Sequence, residues 1–260
     1  METIQSNLYD HPRYYDLVFG SDWKSEFDFL LACFQQHVKG RVKRLFEPAC
    51  GTGRLLYRLA KAGYQVSGLD LNPKAVAFCN DRLRRHGLPE TAFVGDMTDF
   101  ELPRLADAAF NTINSFRHLR KERQAEDHLR CMAQALRPGG IYVLGLHLTP
   151  SVGSPLDEES WSARRGNLCV NTHMWAIDYN RRSRQERFAM TYDVYTPTKQ
   201  FRIQDEIVFR TYTAKQFDDL VRRTDVFEVV TCYDFAYDAS EPIEIDPETE
   251  DVVYILKRKG

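Results

Sequence analysis

The chain has 260 residues, of which 43% are hydrophobic, 28% charged and 12% aromatic, with 14 Gly and 11 Pro. This composition excludes a disordered or collagen-like polymer, and a chain of this length can bury a core without disulfide or metal staples. Lys plus Arg number 35 against 37 Asp plus Glu, and the resulting net charge of −2 sets up no field that would gather nucleic acid or an anionic membrane surface. A small-molecule partner is therefore expected, with no nucleic acid and no membrane.

The N-terminus, METIQSNLYDHPRYYD, lacks the basic and apolar regions of a secretory leader. The longest nearly apolar run, Ile141 to Leu148, falls far short of the ~20 residues that span a bilayer. Cysteines stand at 33, 50, 79, 131, 169 and 232, with none of the close pairs that structural zinc requires. A cytoplasmic protein with reduced thiols and no metal site is expected.

In chain order, Trp23, Phe27, Leu30, Leu31, Phe34 and Val38 recur at helical spacing, and Gly40 supplies a stop. From Val42 short apolar runs alternate with helical stretches: strand 43–47, helix 54–62, strand 65–70, helix 73–86, strand 92–95 and a fourth strand near 108–112. A helix follows with Ala125, Leu129, Met132 and Leu136 on one face. Arg137-Pro138-Gly139-Gly140 ends it before a strand over 141–146. This alternation predicts an α/β fold with a doubly wound, mostly parallel sheet.

Near residue 150 the pattern changes. Residues 149–162 are rich in Pro, Ser, Gly and acids, and the next fifty alternate with period two. Aromatic or apolar residues fall on one parity at His173, Trp175, Ile177 and Tyr179, at Phe188, Met190, Tyr192 and Val194, and at Phe201, Ile203, Ile207 and Phe209. Three antiparallel strands forming an inserted sheet are expected, the first two joined by a turn over 180–183. Thr213-Ala-Lys-Gln opens a helix with a capping box, and strands at 227–235 and 251–257 close a seven-stranded sheet. The expected division is an N-terminal helical lid (1–40), a core (41–149 and 213–260) and an antiparallel insertion (150–212) serving as substrate or dimer region.

The most informative stretch is Glu47-Pro48-Ala49-Cys50-Gly51-Thr52-Gly53, between a strand and a helix. Glycines 51 and 53 allow close approach of a ligand at the strand's carboxyl edge, and Asp70, ending the next strand, is placed to accept hydrogen bonds from a ribose. A dinucleotide fingerprint needs a small residue where Leu56 stands. The local chemistry therefore favours a nucleoside without pyrophosphate.

These residues resemble the class I S-adenosylmethionine-dependent methyltransferases. The first motif of that family is matched by Glu47 to Gly53, with Ala49 inside it. The ribose acid corresponds to Asp70, followed by Leu71, and the acid beside the adenine to Gly95-Asp96-Met97. Asp107 with Asn114-Ser115, and Leu136 to Gly140, match two later motifs. The resemblance implies a Rossmann-like fold, S-adenosyl-L-methionine as cofactor and a Rossmann-like cleft. It extends to small-molecule enzymes such as amino-sugar N-methyltransferases and glycine N-methyltransferase-like relatives. Those often begin with a Tyr-Asp helix that closes over the cofactor, here Tyr14-Tyr15-Asp16-Leu17, and often insert a small sheet after strand five. Asn114-Ser115-Phe116-Arg117-His118-Leu119 is similar to the segment that carries an active-site His in the sugar enzymes.

Methyl transfer requires alignment of the acceptor and removal of a proton, and the cofactor supplies the electrophile. His118, following the fourth strand, and His147, following the fifth, are the candidate general bases. Tyr15 is a candidate for the cofactor's carboxylate or for capping the cleft, and Tyr14, Arg164 and Trp175 are candidates for the acceptor. The expected function is methyl transfer to N or O of a small polar molecule. A non-catalytic cofactor-binding or assembly protein, with a homodimer through the inserted sheet, and an RNA-directed methyltransferase are the competing readings.

Overall fold

The computed structural model describes residues 1–21, 23–152 and 158–260. Its centre is a seven-stranded sheet. Five strands are parallel: β2 (Arg44–Pro48), β3 (Gln65–Asp70), β4 (Ala92–Val94), β5 (Ala106–Asn111) and β6 (Leu136–His147), laid side by side as β6-β5-β2-β3-β4. At the far edge β11 (Phe227–Tyr233) and β12 (Asp251–Arg258) add antiparallel strands, β12 pairing with β6. Helices α2 (Lys24–His37), α3 (Leu56–Lys61) and α4 (Pro73–Arg85) cover one face, and α5 (Glu122–Ala135) and α6 (Ala214–Thr224) cover the other.

Burial on both faces explains why the central strands read as nearly continuous apolar runs. In β6, Tyr142, Leu144 and Leu146 join Leu129, Met132 and Phe217 on the α5/α6 side, whereas Ile141 and Val143 join Phe29, Leu30 and Leu59 on the other. The segment 137–140, expected to be a turn between helix and strand, lies within β6. Between Ala106↔Leu136 and Ala108↔Ile141 the register shifts, so the extra residues form a bulge. Gly140 is needed there, because a Cβ would stand 2.8 Å from the carbonyl oxygen of Asp107.

A second sheet consists of β7 (Glu158–Arg165), β8 (Leu168–Asn180), β9 (Gln185–Tyr195) and β10 (Gln200–Arg210), all antiparallel, with β1 (Glu2–Gln5) parallel to β10 at its edge. The sequence pattern led us to expect three strands here and only helix at the N-terminus. Both extra strands are short or exposed, and their polar composition hid them. Residues 153–157 of the expected linker lie outside the described residues. Helix α1 (Pro12–Gly20) packs Leu17 and Val18 against Val170, Tyr192, Val194 and Ile203 of this sheet.

The register sets the facing of β8. Directly opposed residues share a face, and Val170, Thr172 and Met174 pair with Val194, Tyr192 and Met190. His173 and Trp175 therefore lie on the opposite face from the Phe188–Val194 row, and a shift between Ala176 and Asp178 interrupts the alternation. No helix among the described residues is long and apolar enough to cross a membrane.

The capping box at α6 forms as the sequence requires: Thr213 Oγ1 accepts from the Gln216 N–H at 3.3 Å, and Gln216 Oε1 accepts from the Thr213 N–H at 3.0 Å. Thr213→Ala is expected to lower stability by about 1 kcal/mol in urea unfolding, without changing the slope of the transition.

Candidate active site

The carboxyl ends of β2, β3, β5 and β6 open into a cavity of about 820 Å³ whose opposite wall is the second sheet. At its floor the chain leaves β2 through a tight turn. Ala49 and Gly51 both have positive φ (53° and 52°), and the Cys50 N–H donates to the Leu69 carbonyl at 2.8 Å, fastening the turn to β3. Asp70 Oδ2 accepts from the Gly51 N–H at 2.8 Å and Oδ1 from the Asn72 N–H at 2.8 Å. Burial raises the Asp70 pKa, opposed by these two hydrogen bonds. Each oxygen keeps a second lone pair for a ligand. Leu71, beside it, is 72% exposed, an apolar side chain at the cavity edge with little protein covering it.

Of the residues singled out in the sequence, Tyr15, Ala49, Gly51, Asp70, Leu71, Asp96, Met97, Asn114, His118 and His147 all line this cavity. Glu47 lines a smaller recess shared with Tyr15, Ala49 and Gly51. Its Oε2 is buried without a hydrogen-bond partner among the described residues, and burial, opposed by Arg54, pushes the acid well above its ordinary pKa. An unsatisfied buried carboxyl oxygen beside the turn is a vacant acceptor for a ligand's N–H or O–H. Asp96 Oδ1 accepts from both the Thr98 N–H and its hydroxyl at 2.8 Å.

Four of the sequence candidates stand elsewhere. Gly53 is absent from the lining: at φ 66° a Cβ would lie 2.3 Å from Cys79 Sγ, so this glycine exists to let the turn pack on α4. Tyr14 packs against Phe201, with ring centroids 6.0 Å apart. Arg164 is exposed and donates to the Gly166 carbonyl at 3.1 Å. Trp175 stacks beside His173 on the face of β8 turned away from the cavity.

His118 ends a single 3-10 turn, Ser115–His118, entered through Asn114 in left-handed conformation (φ 50°). Asn114 Oδ1 accepts from the His147 N–H at 3.1 Å, which joins the ends of β5 and β6. His118 Nε2 hydrogen-bonds the Tyr9 hydroxyl at 2.9 Å, and its ring packs on Phe209 with centroids 4.9 Å apart. Burial, reinforced by the charges of Arg120 and Arg117, lowers its pKa to about 4. His118 is thus a neutral imidazole at physiological pH. His147 is held differently: Nδ1 hydrogen-bonds the Asp251 carboxylate, and the ring lies against Phe235. A carboxylate on Nδ1 fixes the tautomer in which Nε2 accepts a proton.

Tyr9, Arg117 and Asp251 were not found from the sequence. Tyr9-Asp10 is a second Tyr-Asp step ahead of Tyr14, and that was the available signal. Arg117 is buried at the junction of the two sheets, its Nη2 on Glu186 at 2.5 Å and its Nε on the Arg210 carbonyl at 2.9 Å. Nothing local marks Arg117 or Asp251, whose partners lie 69 and 104 residues away.

Residues 46–140 match the model of a family described as a methyltransferase domain. A dTDP-3-amino-3,6-dideoxy-alpha-D-glucopyranose N,N-dimethyltransferase of Streptomyces fradiae is 32% identical over 133 residues, 50% of this chain and 50% of that protein. A tRNA U34 carboxymethyltransferase of Azotobacter vinelandii is 29% identical over 157 residues, 59% of this chain and 48% of that protein. The chain spans about half the length of the curated relatives it matches. The fold is that of an S-adenosylmethionine-dependent methyltransferase from Clostridium acetobutylicum, with a TM-score of 0.79, 16% identity and coverage of 98% of this chain and 100% of that one.

Two consequences can be measured. Gly53→Ala places a Cβ against Cys79 at a left-handed backbone, and a loss of about 2 kcal/mol or more in unfolding free energy is expected. Stability also depends on pH through His118 and His128, both lowered by burial to about 4 from an ordinary 6.5. Between those values the unfolded chain binds the protons that the folded chain excludes, so stability falls as pH falls through this window. Urea midpoints at neutral pH and at the acid end of the window should show that decline, and it should be shallower in His118→Asn.

Proposed function

We propose that this chain is an S-adenosylmethionine-dependent methyltransferase acting on a nitrogen or oxygen of a small polar molecule. The observation that carries this reading is the meeting, in one cavity, of the Gly51–Asp70 ribose cradle with two histidines and the wall of the second sheet. The methyltransferase domain match and the shared fold support it, and the amino-sugar enzyme among the relatives supports a small acceptor.

The residues fit the cofactor. Asp70 offers two acceptors to the ribose hydroxyls, the exposed Leu71 and the side chain of Met97 offer apolar cover to the adenine, and Asp96 offers an acceptor to its amino group. Glu47 Oε2, buried and unpartnered, is matched by the ammonium of the methionine portion. Tyr15 stands over Gly51, one of its ring carbons 3.6 Å from where a Cβ would be, and closes the recess from above. When bound, the cofactor supplies a sulfonium methyl group as a ready electrophile.

What remains for the chain is to orient the acceptor, exclude water and receive a proton. In this reading, residues 1–40 act as the closing element, and 150–212 form the acceptor side. His147, oriented by Asp251, is the general base open to the cavity. His118 is held by Tyr9 and Phe209 as a neutral imidazole that hydrogen-bonds the acceptor, since a group titrating near 4 is a weak base.

Production of S-adenosylhomocysteine from S-adenosylmethionine in the presence of small amines, sugars and hydroxylated metabolites tests the reading. Tight cofactor binding without turnover on any acceptor would leave the non-catalytic alternative standing. Asp70→Ala is expected to weaken S-adenosylhomocysteine binding by roughly 1.5–3 kcal/mol in calorimetry, because it removes the acceptors for the ribose. Unchanged affinity would remove Asp70 from the cofactor site.

A further inference from the structure

The side chains around the acceptor half of the cavity are unusual in charge. Asp70 and Asp96 belong to the cofactor side, and seven further carboxylates line the cavity among the described residues, against two arginines and no lysine. Glu186 is paired with Arg117, Glu206 with Arg187, Glu158 with His173 and Asp251 with His147, so the charge that matters for a ligand is that of Glu159 and Asp205. Arg117 is buried and committed to Glu186 and the Arg210 carbonyl, which leaves Arg120, exposed beside His118, as the remaining cation. Phosphate recognition requires convergent guanidinium groups, ammonium groups or helix N-termini. This wall offers the reverse polarity.

The strand register shows how the carboxylates are arranged. Glu159 pairs with Met174, Met174 with Met190, and Met190 with Asp205, so these four residues form one row across β7, β8, β9 and β10, and all four line the cavity. Three interstrand steps of about 4.8 Å set the backbones at its ends about 14 Å apart. Glu159 has no ion pair or side-chain hydrogen bond among the described residues. Among the described residues Asp205 accepts only backbone N–H groups, from Leu8 at 3.0 Å and Glu206 at 2.9 Å. Between them the two methionines form a soft apolar strip, and the rings of Trp161, Phe188 and Phe209 stand on the same side of the cavity. Uncompensated carboxylates, thioethers and aromatic faces together suit an alkylammonium: carboxylates attract its charge, methionines take up its methylene chain and ring faces accept its N–H or N–CH₃ edges.

We infer that the acceptor is a phosphate-free organic cation, an amine carried on an apolar chain, laid across the Glu159–Met174–Met190–Asp205 row. The inference rests on the methyltransferase reading and narrows its acceptor. It also separates this chain from phosphate-bearing acceptors, nucleoside diphosphate sugars and RNA alike, because a diphosphate would face the carboxylate row with Arg120 alone to compensate it.

Calorimetric titration of the intact chain, saturated with S-adenosylhomocysteine, tests this with spermidine and dTDP-glucosamine as probes. Spermidine is expected to bind about tenfold more tightly than dTDP-glucosamine, and to weaken as salt is raised. Glu159→Gln should weaken spermidine several-fold, and Glu159→Gln with Asp205→Asn by about tenfold or more, leaving S-adenosylhomocysteine affinity unchanged. Should Asp205→Asn fail to fold, Glu159→Gln, on an exposed side chain without structural bonds, carries the test alone. Equal or tighter binding of dTDP-glucosamine, no binding of spermidine, or spermidine affinity indifferent to Glu159→Gln overturns the inference while the cofactor site stands. Failure of S-adenosylhomocysteine itself to bind removes the methyltransferase reading, and this inference with it.

Discussion

Two buried ionic contacts under the glycine turn hold the cavity's parts in one frame. Arg54 leaves the turn and forms a two-pronged pair with Glu26 of α2, both almost fully buried, while Nη2 also reaches Thr112 Oγ1 at 3.4 Å. Asp16 of α1, 1% exposed, receives Arg82 from α4 at 2.5 Å, Arg165 from β7 at 3.1 Å and the Thr52 hydroxyl at 3.1 Å. Burial alone would raise the Asp16 pKa, yet these partners hold it below the usual carboxylate range. Such clusters contribute little net stability, since desolvation offsets most of the attraction, but losing one partner strands a charge in the interior. Their effect is to define position. The turn, the N-terminal helix and the second sheet are registered against each other by these charge contacts.

A similar junction joins the second sheet to the α5/α6 side. Arg117 bridges from the turn after β5 to Glu186 and Arg210, and Glu122 at the start of α5 receives Arg184, Arg210 and Arg223. Arg117 lies beside His118, so the contact that places the sheet also helps keep that imidazole neutral. The cavity therefore combines a floor built by the core with an opposite wall built by the second sheet, the one taking the cofactor and the other the acceptor in the proposed reading. The chemistry of the wall can vary without disturbing the floor.

Much of the core was legible in the sequence, because its elements obey local rules. The strand over Gln65–Asp70 and the start of α4 at Pro73, capped by Asn72, follow from apolar runs and cap residues. Ala49, Gly51, Asp70, Asp96, Met97 and Asn114 meet in one cavity because turns at the carboxyl edge of a parallel sheet face the same cleft. Gly53 shows the limit of that reasoning. Its glycine was legible, but whether the missing Cβ makes room for a ligand or for Cys79 is a question about a helix 26 positions on.

The second sheet was legible as period-two alternation but not in its facing, and Trp175, a candidate for the acceptor, lies outside the cavity lining. Both parities of β8 carry large side chains, so composition cannot choose between them. The choice falls to pairing with β9, where Met174 opposes Met190. By itself the sequence determined the α/β class, the order of the core elements and the cofactor motif, because these depend on hydrophobic period, turn residues and caps within a few positions. Only the tertiary structure decided which carboxylates share a wall, that Tyr9 meets His118, and that Asp251 orients His147. Those contacts join residues far apart in the chain, and the pairings exist only once strand register and buried charge have fixed the two sheets against each other.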